Sequence, residues 1–247
     1  MLESLDRLRK HKLRTSDAHP KTKSVADLLF DERDLAVRYL VADTGNWLPG
    51  QKVLISPEAV VAIDAEEGVL HTNLTEEMIE AAPSVAADAP VSLDHRRMLA
   101  RHYGWSAYDA FHPILGGYGW MRAGDVAPPM VAPTEPRTEP TLRSVDEVVG
   151  YDIEGTDEGV GNVADIVIDT RTWALRYLVV DTRKWLPFSR KVLVPVARIR
   201  DISFPQQAVR LDLTRAQIEQ CPEFDVSLPV TTEHELAVLE KLEQAPV

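Results

Sequence analysis

The 247-residue sequence has a single cysteine, Cys221. One thiol forms no internal disulfide and no cysteine-cluster metal site, and such sparing use points to a reducing compartment. Long apolar runs are also missing. No stretch approaches the roughly 18 residues that a spanning helix needs, and the opening MLESLDRLRKHKLR has no signal-peptide core. Basic charge is short, with 27 Lys and Arg against 39 Asp and Glu and a formal net charge of −12. Phosphate contacts need a basic surface, so nucleic acid is an unfavoured partner. The basic residues gather locally: Arg7, Arg9, Lys10, Lys12, Arg14, Lys21 and Lys23 face only Glu3, Asp6 and Asp17 in residues 1–24. A solvated strand edge accounts for this run without a phosphate ligand.

Signatures of chemistry are equally sparse. No G-x-S-x-G elbow occurs, and GGYGW (116–120) lacks the Lys and Ser/Thr of a phosphate loop. The seven histidines form no ligand set; His95 and His102 could share a helix face, but no third ligand stands at a zinc spacing. Cys221 sits where a short helix should end, facing carbonyls, which suits packing and not a nucleophile.

What is present is a repeat. Val25–Pro49 and Val163–Pro187 agree at fifteen of twenty-five positions, offset by 138 residues. The likeness continues from Lys52 and Lys191 through LTEEMIEAAP and LTRAQIEQCP to PVSLDH and PVTTEH. Each repeat is too long for a solenoid unit and should close its own core.

In the second repeat, apolar runs at 148–155, 162–169, 174–181, 191–195, 198–204 and 208–213 alternate with hairpin-length turns, which reads as six short strands of a small antiparallel barrel. In the first repeat the opening strand falls on LRKHKLRT (8–15). Helices follow each barrel. Thr214 with Gln217 and Thr232 with Glu235 form capping-box patterns, Leu236, Leu239 and Leu242 recur on the last helix, and Ser92 opens a helix with Met98, Leu99 and Tyr103 as its apolar stripe.

Residues 104–141 have no counterpart. Their first part, through residue 121, is aromatic and glycine-rich, and the remainder is a proline-rich linker. The domains are therefore 1–103 and 142–247, each a barrel with a trailing helix, joined by 104–141. Trp105, Tyr108, Phe111, Tyr118 and Trp120 form the candidate interaction surface, since the repeat gives them no structural duty.

Asp27, Asp31 and Asp43 recur as Asp165, Asp169 and Asp181. Such carboxylates could hold a hard cation or act as acid and base. Bonding to turn backbone explains Asp31 and Asp169 more simply, and Asp43 and Asp181 lead into the loops that carry Trp47 and Trp185. Each tryptophan precedes Leu-Pro and is expected to plug one end of its barrel.

The blocks GNVADIVID, RYLVVDT and KVLVP of the second repeat, with KSVADLLFD, RYLVADT and KVLIS of the first, resemble the PRC-barrel family. The resemblance covers about residues 8–83 and 146–222, and HYGW (102–105) is similar to bacterial proteins with two such barrels. It implies a mainly β chain with accessory helices: two six-stranded barrels like those of the cytoplasmic part of the photosynthetic reaction centre H subunit and of a ribosome maturation factor. Unlike the former, this chain has no transmembrane helix. The function expected is a non-enzymatic, cytoplasmic docking or assembly module with a protein partner or self-association, no cofactor, and at most peripheral membrane attachment. A small-ligand or ion-binding barrel and an RNA-processing or ribosome-assembly accessory factor are the alternatives.

Overall fold

The computed structural model describes residues 1–20, 22–43, 51–86, 91–105, 142–182 and 190–244. The chain is mainly β with short helices. It divides into two compact units, Leu8–Ser144 with Thr172–Ala174, and Met1–Arg7 with Val145–Arg171 and Leu175–Val247.

The chain opens with β1 (Leu2–Ser4) and α1 (Leu5–Lys10). The strand expected over 8–15 is thus a helix followed by the three-residue strand β2 (Lys12–Arg14). Local chemistry explains the correction. The Ser4 hydroxyl accepts from the Arg7 N–H at 3.3 Å, and Leu5 and Leu8, three apart on a helix, are both fully buried.

The unit of the first repeat continues with β3 (Thr22–Asp31), β4 (Ala36–Ala42), β5 (Gln51–Ile55), β6 (Val60–Asp64) and β7 (Val69–Thr72). Hydrogen-bonded neighbours run β6–β7–β2–β3–β4–β5, with β2 and β7 parallel. Helix α2 (Glu76–Glu80), β8 (Val85–Ala86), α3 (Leu93–Tyr103) and β9 (Leu142–Ser144) follow. Ser92 caps α3 as its sequence suggests, its hydroxyl accepting from the His95 N–H at 3.2 Å. Of the expected stripe, Leu99 and Tyr103 are buried but Met98 is 45% exposed, because it lies beside Leu99 and a helix turns about 100° per residue.

The other unit contains α4 (Val145–Val148), β10 (Asp152–Glu154), β11 (Gly159–Asp169), β12 (Ala174–Asp181), β13 (Lys191–Pro195), β14 (Ile199–Ser203) and β15 (Ala208–Leu211). Its order, β14–β15–β10–β11–β12–β13, repeats the first, again with a parallel pair at β10–β15. In both units this six-strand path is open among the described residues. The β-branched runs of β11, β12 and β13 bury Val163, Ile166, Val179, Val180 and Val192 completely. Helices α5 (Arg215–Glu219) and α6 (Thr232–Gln244) complete it. The Thr214–Gln217 capping box is present, but α6 is capped by Thr231, whose hydroxyl accepts from the His234 N–H at 3.2 Å, and not by Thr232. Along α6, Val238 and Leu242 are buried; Leu236 and Leu239 are 52% and 41% exposed.

Each long strand has two short partners. Strand β3 pairs with β2 over Thr22–Ser24 and with β9 over Leu29–Asp31. Strand β11 pairs with β10 near its start and with β1 over Val167–Asp169. The second partner in each case comes from the other repeat. Among the described residues no helix is long and apolar enough to cross a membrane.

Candidate functional site

The repeated carboxylates are the residues with most claim to chemistry. Asp31 and Asp169 end β3 and β11, where the chain turns through D-x-R. The Asp169 carboxylate accepts from the Arg171 backbone N–H at 3.0 Å and from its guanidinium at 3.0 and 3.2 Å. Asp31 receives the same set from Arg33. Both turns place a non-glycine residue in the left-handed region, Leu35 at φ 54° and Trp173 at φ 55°. The arginine fork therefore fastens a turn whose backbone is locally unfavourable. Burial alone would raise the Asp169 pKa. The Arg171 hydrogen bonds and charge outweigh it and hold the carboxyl below its ordinary value.

Asp27 and Asp165 lie four residues earlier on the same strands. Asp165 accepts from the Ile166 N–H at 2.7 Å and from the Asp6 N–H at 3.4 Å, and the Ser4 hydroxyl also bonds to it. Its pKa is raised, chiefly by burial, with those hydrogen bonds opposing. Asp27 accepts from the Leu28 N–H at 2.7 Å and the Ser144 hydroxyl at 2.6 Å. All four carboxylates thus hold backbone or an incoming strand. The turn bonding expected of Asp31 and Asp169 is what they make.

Asp181 is buried at the end of β12 and Asp43 is exposed. Trp47 and Trp185 lie outside the described residues, as do Tyr108, Phe111, Tyr118 and Trp120. Trp105 is half-buried and stacks on Tyr103, ring centroids 4.0 Å apart.

His95 and His102 are not brought to one site: the His102 Nε2 meets the Met78 carbonyl at 2.7 Å. His95 and its counterpart His234 each bury Nε2 without a hydrogen-bond partner among the described residues, and burial lowers both pKa values. The Cys221 thiol is fully buried, donates to the Gln217 carbonyl at 3.6 Å, and is pushed up to about 11 by burial, against the charge of Arg190. It is held mainly as the thiol near neutral pH.

A recess of about 400 Å³ follows the β10–β11 hairpin and is lined by Asp152, Glu154, Asp157 and Glu158. Its acids are engaged by the chain itself. Arg210 lies 2.9 Å from Glu154, Arg215 lies 3.4 Å from Glu158, and Asp157 accepts from the Arg215 N–H at 3.0 Å. Among the described residues no three His, Cys, Asp or Glu side chains are grouped to hold a metal.

The strand donors were missed by sequence reasoning. Their signal is a short one, LESLD at 2–6 against LRSVD at 142–146, lying ahead of the strongly matching blocks.

The open six-strand path, repeated turn and K-V-L strand define a PRC-type β fold. The PRC-barrel domain model matches residues 140–218, so this stretch is similar to that family. The match begins just before β9, the strand given to the first repeat's β3. No curated protein matches the chain.

Proposed function

We propose that the chain is a non-enzymatic, cytoplasmic docking or assembly module made of two PRC-type six-stranded barrels in tandem, acting through a protein partner or self-association. The observation that carries this reading is the outer face of α6, where Leu236 and Leu239 are 52% and 41% exposed, with Leu228 just ahead at 57%. Exposed leucines one helical turn apart are a form in which apolar surface is offered to a partner. The engagement of the repeated carboxylates in structural contacts supports the non-enzymatic part. The aromatic segment from Trp105 to Trp120 is a second candidate surface.

The test is gentle isolation of the tagged protein from its own cells. It is compared with two variants shown to be folded, one with alanine at Trp105, Tyr108 and Trp120 and one with serine at Leu236 and Leu239. A specific partner lost from either variant supports docking and locates its surface. Identical co-purifying proteins from all three refute both surfaces.

A further inference from the structure

The strands β3 and β11 each accept a segment remote in sequence. Leu2–Ser4 pairs with Val167–Asp169, and Leu142–Ser144 pairs with Leu29–Asp31. Both segments have one design, leucine, a charged residue, serine, an apolar residue and aspartate. Both use serine in the same way. The Ser144 hydroxyl donates to Asp27 at 2.6 Å, and the Ser4 hydroxyl bonds to the equivalent Asp165. The four residues Leu2, Glu3, Ser4 and Leu5 are all buried, so β1 is integral to the sheet it joins.

The charged position differs, and the difference selects. Arg143 of β9 forms an ion pair with Glu32 at 3.1 Å, just beyond β3. Thr170 occupies the place of Glu32 in the second repeat, and there Glu3 of β1 turns instead to Arg7 at 2.7 Å. Were β1 to pair with β3 of its own repeat, Glu3 would take the place of Arg143 beside Glu32. Like charges at that position oppose the pairing, and the salt bridge would be lost as well.

We infer that each repeat is a receptor for a short strand-and-cap segment, that the two repeats complete each other by reciprocal donation, and that Glu32 with Arg143 fixes which segment goes where. A lesion in a donor strand therefore weakens the repeat to which it is not joined in sequence.

Hydrogen exchange of the full-length chain tests this. Proline at Glu3 removes a ladder N–H and constrains the backbone. Glu3→Pro should speed exchange about tenfold in residues 159–182 and 208–211, well above any change in 12–42 and 60–72. Arg143→Pro should give the reverse pattern. Ser4→Ala, a milder lesion, should act in the same sense as Glu3→Pro. A synthetic peptide of residues 1–10 added in excess to the Glu3→Pro protein should restore protection in 159–182. Faster exchange mainly in the donor's own repeat, equal acceleration in both, or no recovery with peptide would each overturn the inference.

Discussion

Gly161, near the start of β11, has an approach to its neighbour that no side chain can share. A Cβ built there lies 2.0 Å from the Asp181 carbonyl oxygen, 2.9 Å from its carbon and 3.1 Å from the Thr182 Cα. Ordinary contact begins near 3.4 Å, so Gly161→Ala requires a backbone shift of about 1.4 Å between two strands of one core. The first repeat has Lys23 at this position, and its β4 ends at Ala42, one residue short of the place where β12 ends at Asp181. Forced overpacking costs about 1–3 kcal/mol, and displaced backbone belongs at the upper end. For a chain of this size that is a fall in Tm of about 5–10 °C. Gly159→Ala is the control in the same strand, since its Cβ meets nothing closer than the Ile153 oxygen at 4.0 Å. It should stay within about 0.5 kcal/mol of the parent. Urea unfolding followed by circular dichroism measures both. A Gly161→Ala protein as stable as the parent, or a Gly159→Ala protein equally destabilised, would show that the close approach at Gly161 does not constrain the strand.

The β14–β15 turn puts Gln207 at φ 51°, where the first repeat has Gly68 at φ 63°. Gln207→Gly should be neutral or stabilising and Gly68→Ala destabilising, each by about 1 kcal/mol or less, by the same unfolding assay. Asp169 has its pKa lowered in the folded chain, so its contribution is complete above the unfolded value near 3.8 and is lost as pH falls through the lower folded value. The stability gap between parent and Asp169→Asn should therefore close in acid; a gap unchanged from pH 7 to pH 3 contradicts the ion pair with Arg171. The raised pKa and burial of Cys221 imply slow alkylation by iodoacetamide at pH 7.5 that becomes rapid in denaturant. Rapid labelling of the native protein would place the thiol elsewhere.

The repeat made most of the fold legible, because identical turn and strand chemistry at a fixed offset implies the same structure twice. The later strands of the second repeat and the Thr214 cap follow directly from alternation and capping pattern, whereas of the opening run 148–155 only Asp152–Glu154 is strand. Three features did not. Residues 8–10 read as the start of a strand because their basic side chains obscure the Leu5 and Leu8 pair; burial of both, with the Ser4 cap, decides for helix. On α6 a three-residue leucine recurrence suggests the buried face, yet Val238 and Leu242, four apart, lie in the core, as the helical period requires. The donation of β1 and β9 involves pairs more than 100 residues apart and is specified by side chains such as Arg143 and Glu32, so local periodicity carries no trace of it.

Hydroxyl-radical footprinting tests docking by comparing the purified chain with the chain in the assembly isolated from cells. If the chain docks, Leu228, Leu236 and Leu239, or Trp105 with its aromatic neighbours, are labelled in the free chain and protected in the assembly. Equal labelling of all these residues in both would contradict it.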